Sequence, residues 1–229
     1  MLETTVKKLL SATGGTLLAG GDGQTVTAVE TDSRSCGAGM LFVPLIAARD
    51  GHDFIDMALS AGAEGTLCSR MPEHFLPNKF YIQVEDTRLA LKALASWYRD
   101  RFSIPFVQIT GSVGKTTTKE MIAAVLSEHY NTLKTDGNFN NDIGVPKTLF
   151  RLMPEHEAAV VETGMNHFGE IRYLSEMVRP DVAVISNVGD AHIENLGSRE
   201  GILRAKSEIF ECLKDTGFAV LNGDDVLLN

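Results

Sequence analysis

Cysteine is scarce in this chain: Cys36, Cys68 and Cys212 are the only ones among 229 residues. Their spacing matches neither a metal-binding nor a redox motif, and so sparse and odd a set indicates a reducing compartment. No apolar run approaches the ~18 residues of a membrane-spanning helix, and the N-terminal residues lack the layout of a signal peptide. We therefore expect a soluble cytoplasmic protein that does not insert into a membrane.

Positive charge is also in deficit, since 21 lysines and arginines accompany 30 aspartates and glutamates and the formal net charge is −9. A chain of this charge is not expected to bind nucleic acid nonspecifically, because it would repel the phosphate backbone. An anionic ligand would need a local positive site instead. Hydrophobic residues make up 44% of the chain, which is enough for a core in one large domain or two small ones.

The first part of the chain, residues 1–103, has the pattern of a small α/β domain. Its predicted helices cover residues 4–12, 53–61 and 87–101, and its predicted strands cover residues 24–30, 40–45, 66–68 and 80–84. The helix at 87–101 is the clearest, because Leu91, Leu94, Ala95 and Tyr98 fall on one face.

From Pro105 onward, strands and helices alternate. The predicted strands cover residues 106–110, 131–134, 158–162, 181–187 and 218–221. Such alternation predicts a parallel sheet covered by helices, and nearly all-apolar strands predict burial on both faces. The sequence stops at an apolar segment, residues 226–229, soon after the last strand. We therefore expect the second domain, residues 104–229, to be incomplete.

The most informative stretch follows the strand at 106–110 and reads T-G-S-V-G-K-T-T. A strand, a glycine-rich turn and a helix that opens on Gly-Lys-Thr are typical of a nucleotide phosphate loop. Glycines let backbone N–H groups converge on one centre, and the helix N-terminus adds partial positive charge. The residues predicted to bind the phosphates are Thr110, Gly111, Ser112, Val113, Gly114, Lys115, Thr116 and Thr117.

Within that loop, Lys115 would reach the β/γ-phosphates and the Thr116 hydroxyl would contact Mg²⁺. The match is to a shortened form of the motif, because the longer form has glycine where this chain has Ile109. The alternative interpretation is a glycine-rich turn with a stray lysine. The strand and helix that flank the loop favour the phosphate site.

Other polar residues follow the predicted strands at their carboxyl ends, where parallel sheets bind ligands. Glu162 ends the strand at 158–162, and His192 follows the strand at 181–187. A carboxylate near a phosphate loop is a hard oxygen ligand for Mg²⁺, whereas the alternative is a strand-end carboxylate in solvent. Taken alone, Lys206 in a predicted helix over 199–213 is a solvated lysine, and a lone histidine is usually structural or exposed.

Four segments, in order, resemble the Mur ligase family, the ATP-dependent amide-forming enzymes of peptidoglycan synthesis. They read T-G-S-V-G-K-T-T-T-K from residue 110, G-N-F-N-N-D-I-G-V-P from residue 137, E-T-G-M-N with a later G-E-I from residue 162, and N-V-G-D-A-H from residue 187. The resemblance spans essentially the whole chain, and four ordered motifs are far more specific than any one of them. They most resemble the branch of the family that joins D-alanyl-D-alanine to a UDP-N-acetylmuramoyl-tripeptide.

The resemblance implies a uridine-nucleotide domain over 1–103 followed by a P-loop ATPase domain, with the family's third domain absent, so that the chain alone is expected to be inactive. It implies a monomer that uses ATP and two Mg²⁺ ions and passes through an acyl phosphate. Catalysis would fall to Lys115, Glu162, His192 and Lys206. The family carbamylates the lysine that Lys206 matches, so modified Lys206 would join Thr116, Glu162 and His192 as a metal ligand.

The resemblance also implies the contacts to the second substrate. Asn138, Asn140 and Asn141 would line the path of the muramoyl peptide, although asparagines are also common turn formers. Ser33 and Arg34 would contact the uridine nucleotide, within a D-S-R signal that is very weak alone. Asp50-Gly51-His52 resembles a further uridine-nucleotide segment.

Three other functions stay open at this point. The ligase that adds the third peptide residue shares the D-S-R and D-G-H segments, and folate polyglutamate synthases share only the ATPase domain. The asparagine-rich segment at 137–146 argues against both. A nonenzymatic nucleotide-binding module is the third alternative.

Overall fold

The computed structural model describes residues 2–229. The chain divides into two compact units, of which the first ends at Tyr98 and the second begins at Arg99. Both units combine helices with a sheet, which confirms the predicted α/β class. The predicted functions of the two domains, uridine-nucleotide binding over 1–103 and ATP binding over 104–229, stay predictions.

The first unit is built on a mixed sheet with the strand order β2-β7-β6-β5-β4. β2 runs antiparallel to β7, and the other neighbours are parallel. The elements, in chain order, are β1 (Thr4–Thr5), α1 (Val6–Thr13), β2 (Thr16–Ala19), β3 (Thr25–Val26), β4 (Ala28–Glu30), β5 (Met40–Phe42), α2 (Ile55–Ser60), β6 (Gly65–Cys68), β7 (Phe80–Gln83) and α3 (Thr87–Arg99), with 3₁₀ turns at Ser33–Ser35 and Gly51–Phe54.

Several parts of this unit differ from the sequence prediction. The predicted helix over 4–12 begins at Val6, after β1, and the predicted strand over 40–45 ends at Phe42. The predicted strand over 24–30 is split at Thr27, because β3 pairs with β1 whereas β4 pairs with β5. At the break, the carbonyl of Gly39 accepts hydrogen bonds from the N–H groups of Thr27 and Ala28, at 2.7 and 3.3 Å. β2 is not predicted, because Leu17 and Leu18 are both half-buried and show none of the alternation that identifies a strand.

The second unit is built on a parallel sheet with the strand order β12-β11-β8-β10-β9. The elements, in chain order, are β8 (Phe106–Thr110), α4 (Lys115–Ser127), β9 (Thr132–Lys134), α5 (Gly144–Leu149), β10 (Ala158–Glu162), α6 (Glu170–Val178), β11 (Val182–Ile185), α7 (Ile193–Leu196), α8 (Arg199–Ser207) and β12 (Phe218–Leu221), with a 3₁₀ turn at Glu208–Cys212.

The predicted parallel sheet is confirmed, and one helix of this unit is shorter than predicted. β8 and β10 are buried along their whole length, as nearly all-apolar strands should be, whereas β12 is an exposed edge strand. The predicted helix over 199–213 ends at Ser207 and continues as a 3₁₀ turn. The predicted strand over 181–187 ends at Ile185, because the next two side chains turn towards the β8–α4 loop.

The strand order brings the predicted polar residues to one edge. β8 lies between β11 and β10, and the register pairs Ile185 with Thr110 and Glu162 with Ile109. The carboxyl ends of the three strands are therefore side by side. The β8–α4 loop, Glu162 and the segment after β11 all begin at this edge, where ligands of open parallel sheets bind.

Candidate functional site

The loop between β8 and α4 is shaped by two glycines. A Cβ at Gly111 would lie 2.0 Å from the Ser186 Oγ, so a larger residue at this position would force the Ser186 side chain to move. Gly114 has φ +77°, a left-handed conformation that L-residues rarely adopt, and it turns the chain into α4. The first N–H groups of α4 have no partner within the helix and mark an anion-binding position.

Asn187 holds this loop in shape. Its Oδ1 accepts hydrogen bonds from the backbone N–H groups of Ser112 and Val113, at 3.1 and 3.0 Å, and its Nδ2 donates to the Val113 carbonyl at 3.1 Å. The Ser186 hydroxyl donates to the same carbonyl at 2.9 Å. Two N–H groups of the predicted phosphate cradle are therefore engaged by Asn187. The sequence contains Asn187 in the N-V-G-D-A-H segment, but its spacing does not indicate this role.

Glu162 joins the phosphate loop to the asparagine-rich segment. Its carboxylate is 1% exposed, and its Oε2 accepts a hydrogen bond from the Thr116 hydroxyl at 2.9 Å. The other oxygen, Oε1, accepts from the Asn140 Nδ2 at 2.9 Å. The backbone N–H of Glu162 donates to the Thr135 hydroxyl at 3.0 Å. Glu162, Thr116 and Asn140 are thus brought together, and the alternative of a carboxylate in solvent is wrong for Glu162.

Lys115 is half-buried and points back across the loop. Its Nζ donates to the Gly111 carbonyl at 2.8 Å. Burial lowers the pKa of Lys115, and the negative charge of Glu162 opposes that shift. The ammonium therefore lies in the loop and is held by a single neutral acceptor, which a phosphate oxygen can replace.

Lys206 is in α8 and is 2% exposed. Among residues 2–229, it has no partner in a hydrogen bond or an ion pair. Burial, and then the positive charge of Lys115, lower the pKa of Lys206 to about 7. A large fraction of this amine is therefore neutral near neutral pH, so the interpretation of Lys206 as a solvated helix lysine is wrong.

His192 lies at the start of α7 with φ +68°, an unusual left-handed conformation for a histidine. Two residues that precede His192 in its segment are held by hydrogen bonds. Asp225 Oδ2 accepts from the Val188 N–H at 2.7 Å, and Arg199 donates to both Asp190 oxygens at 2.6 and 2.8 Å. Across residues 2–229, no hydrogen bond connects the His192 side chain to the other predicted metal ligands, and no group of three or more acidic, histidine or cysteine side chains is arranged as a metal site.

The three predicted asparagines occupy different environments. Asn140 is half-buried and attached to Glu162, whereas Asn138 and Asn141 are exposed. Asn141 Oδ1 accepts from the N–H groups of Ile143 and Gly144, at 3.2 and 2.8 Å, where α5 begins. The turn-forming interpretation therefore fits Asn141, and the geometry favours Asn140 as the functional member of the set.

In the first unit, the predicted uridine contacts lie on the 3₁₀ turn after β4. The Ser33 hydroxyl is buried and donates to the Met57 sulfur at 3.5 Å, while the exposed Arg34 guanidinium pairs with Asp32. These contacts do not place Ser33 or Arg34 at a cavity.

A separate cavity of about 520 Å³ in the first unit is lined in part by His52, Arg70 and His74. His52 is buried, and its Nε2 accepts from the Ser69 N–H at 2.9 Å. The proton of the neutral ring is therefore on Nδ1, which donates to Asp50 at 2.6 Å.

Comparison with known proteins gives consistent results. Residues 109–229 match the family described as the Mur ligase middle domain. The UDP-N-acetylmuramoyl-tripeptide--D-alanyl-D-alanine ligase of Escherichia coli (strain K12) is 46% identical over 226 residues, which are 98% of this chain and 49% of that protein. The chain spans about half the length of the curated relatives it matches.

Two solved structures show the same fold. A crystal structure of MurF from Acinetobacter baumannii superposes with a TM-score of 0.94 at 38% identity, over 100% of this chain and 50% of that one. The MurF ligase of Thermotoga maritima in complex with ADP has a TM-score of 0.79 at 36% identity, over 86% of this chain and 46% of that one. Within residues 2–229, no helix is both long and apolar enough to cross a membrane.

Proposed function

The chain belongs to the Mur ligase family, and we propose that it is the nucleotide-handling part of an ATP-dependent ligase that joins D-alanyl-D-alanine to a UDP-N-acetylmuramoyl-tripeptide. The observation that carries the proposal is the buried Glu162 carboxylate, which binds the Thr116 hydroxyl with one oxygen and the Asn140 amide with the other. One group therefore connects the phosphate loop to the segment proposed to line the peptide path.

In the proposed reaction, the terminal carboxylate of the tripeptide attacks the γ-phosphorus of ATP, and the bond to the ADP oxygen breaks. The amine of D-alanyl-D-alanine then attacks the acyl phosphate, phosphate leaves, the amine loses its proton and an amide forms. The protein contributes mainly position and charge neutralisation. Lys115 would exchange the Gly111 carbonyl for phosphate oxygens, and the N–H groups at the start of α4 would add further donors.

The donors at this edge fit a magnesium ion. Thr116 Oγ1 and Glu162 Oε2 are hard oxygen atoms only 2.9 Å apart, and they would hold Mg²⁺ beside the phosphates. When bound, the ion would neutralise negative charge on the phosphates. The proposal includes a second Mg²⁺ held by His192 and carbamylated Lys206.

Carbamylation of Lys206 is supported by its surroundings. A neutral amine attacks CO₂, a nitrogen–carbon bond forms, and the loss of one proton leaves a carbamate anion. Lys206 meets the requirement, because the residue is 2% exposed, its amine makes no hydrogen bond or ion pair among residues 2–229, and its pKa is lowered to about 7. Carbon-13 spectra under labelled CO₂ should show one carbamate signal, which disappears in Lys206→Arg and persists in Lys119→Arg. A signal that survives Lys206→Arg would place the modification elsewhere.

The proposal takes the protein as cytoplasmic, because ATP is its substrate and its sparse cysteines suit a reducing compartment. It also takes the protein as a monomer, in line with the family resemblance. It is tested by calorimetric titration of the folded chain with UDP-N-acetylmuramoyl-tripeptide, with the dipeptide form as the control. We expect binding with a preference for the tripeptide. A preference for the dipeptide would favour the ligase that adds the third residue, and binding of neither by a folded chain would contradict the proposal for this chain.

A further inference from the structure

Lys119 is a buried lysine at the end of the T-G-S-V-G-K-T-T-T-K segment, and the sequence assigns it no role. It lies on α4, one helical turn after Lys115, and its side chain is completely buried. Its Nζ donates to the carbonyls of Thr135 and Gly137, at 2.8 and 3.2 Å, and lies 3.1 Å from Glu120 Oε1. Burying an ammonium group is costly unless hydrogen bonds and opposite charges compensate for the lost water, and these oxygen neighbours provide that compensation and hold the group in place.

The contacts of Lys119 lead to the site. Thr135 and Gly137 belong to the segment 135–141, called here the asparagine loop, which carries Asn140. Lys119 Nζ also lies 3.9 Å from Glu162 Oε2, the oxygen that accepts the Thr116 hydroxyl. Lys119 therefore touches the asparagine loop and the Glu162 carboxylate from the helix that follows the phosphate loop.

The asparagine loop is also hydrogen-bonded to β10 and to the residues that follow it. The Thr135 hydroxyl accepts from the Glu162 N–H at 3.0 Å, and the Asn140 carbonyl accepts from the Gly164 N–H at 2.8 Å. A Cβ at Gly164 would lie 3.1 Å from the Asn140 side chain, so the loop packs closely against the backbone. From α4, Lys119 donates to two carbonyls of the asparagine loop, and Thr116 donates to the Glu162 carboxylate.

We propose that Lys119 is a positioning residue, which fixes the asparagine loop on α4 and thereby holds the Glu162 carboxylate between Thr116 and Asn140. This inference rests on the proposed function, because it assigns Lys119 to the magnesium and phosphate chemistry of that site. Residues that orient a metal ligand commonly change metal affinity tenfold to a hundredfold when they are replaced, on the order of what we expect here.

The sign of the effect separates positioning from simple charge. An ammonium 3.9 Å from a carboxylate oxygen repels a metal ion at that carboxylate. If Lys119 acted only through its charge, its removal would strengthen Mg²⁺ binding. If it acts by holding the loop and the carboxylate in place, its removal weakens Mg²⁺ binding.

The test compares Lys119→Met with Lys134→Met by titrating the chain with ADP, with and without Mg²⁺. Lys134 is a matched control, because it pairs with Glu120 of the same helix but is 43% exposed and has no described contact with Glu162. We expect Lys119→Met to reduce the strengthening of ADP binding by Mg²⁺ about tenfold or more, with Mg²⁺-free ADP binding changed less than about twofold. Lys134→Met and the conservative Lys119→Arg should keep the effect of Mg²⁺.

Hydrogen exchange of the ligand-free chain gives a second readout. Residues 137–141 should exchange faster in Lys119→Met than in Lys134→Met, because the loop loses its anchor on α4. Unchanged exchange together with unchanged or stronger Mg²⁺ enhancement would overturn the proposal. If the unaltered chain binds no ADP, the proposed function fails, and the exchange comparison still decides whether Lys119 anchors the loop.

If Lys119→Met does not fold, the unaltered chain supplies the answer. Lysine side-chain ¹⁵N spectra should contain a protected Lys119 ammonium signal, identified by its loss in Lys119→Arg. The proposal requires this signal to shift when Mg²⁺ and ADP are added, while the Lys134 signal stays in place. A Lys119 signal that does not respond to Mg²⁺ and ADP would overturn the proposal.

Discussion

The regions around Lys119 and Lys206 bury an amine in the same unit but surround it in opposite ways. Lys119 donates to two backbone carbonyls and has Glu120 and Glu162 nearby. Lys206 is 2% exposed and has no such partner among residues 2–229, and the positive charge of Lys115 adds to burial in lowering its pKa. Burial alone therefore does not determine what a lysine does in this protein.

The two lysines differ in how far the protein replaces the hydrogen bonds that water makes to an exposed ammonium group. An ammonium that leaves water loses its hydrogen bonds, and the region around Lys119 replaces them with oxygen atoms. The region around Lys206 replaces none of them, so the neutral amine is favoured instead and the pKa falls to about 7. The first environment suits a structural cation, and the second suits a group that reacts or binds.

The largest expected effect is a difference in stability between the two variants that each remove one of these amines. Lys119→Met should destabilise the second unit by about 3 kcal/mol or more, because it leaves two carbonyls and a buried carboxylate without their cation. Lys206→Met should not destabilise it, because methionine of similar length replaces an unpaired buried amine. Hydrogen exchange of the β8 and β10 amides reports the stability of this unit. Equal losses of stability in Lys119→Met and Lys206→Met would show that the two buried lysines do not differ in their structural role.

The pH dependence of stability should reveal Lys206 alone. The pKa of Lys206 is about 7 in the folded protein and 10.5 for the ordinary side chain. Between these values the unfolded chain binds more protons, so stability rises with pH. From about pH 7 to about pH 9 the gain should be about 2 kcal/mol relative to Lys206→Met, in buffer free of CO₂. Parallel stability curves for the two proteins would show that Lys206 is not perturbed.

The smallest effect is expected at Lys134, which is charged, close to Lys119 and exposed. Its ion pair with Glu120 is open to solvent and is weakened by water and salt. Lys134→Met should leave the stability of the second unit unchanged within the error of the exchange measurement. A loss comparable to that of Lys119→Met would mean that charge, rather than burial and hydrogen bonding, separates the two lysines.

The sequence predicts the sheet of the second unit well because its strands are short apolar runs between helices. The strands over 106–110, 158–162 and 218–221 have the predicted bounds, and the carboxyl edge gathers the predicted residues Lys115, Thr116 and Glu162. In the first unit the strand over 24–30 divides between two sheets, and no local pattern indicates a change of partner at Thr27.

Tertiary contacts explain what the sequence does not predict at the site. Lys119 follows T-T-T in a polar part of α4 and has the pattern of a solvated lysine, yet it is completely buried and donates to two carbonyls of the asparagine loop. Asn187 is part of a predicted segment, but its grip on Ser112 and Val113 depends on the pairing of β11 with β8. Only the family resemblance predicts a special role for Lys206, and its burial together with its lowered pKa gives the physical reason.

Titration of the chain with ADP and Mg²⁺ tests whether the β8–α4 loop binds the phosphates of a nucleotide. We expect the unaltered chain to bind ADP, and we expect binding to be weaker by about tenfold to a hundredfold in Lys115→Met, which removes the charged donor from the loop. Lys134→Met provides the control for loss of one positive charge and should bind like the unaltered chain. Equal binding by Lys115→Met, or no binding by the unaltered chain, would show that the β8–α4 loop is not a nucleotide phosphate site.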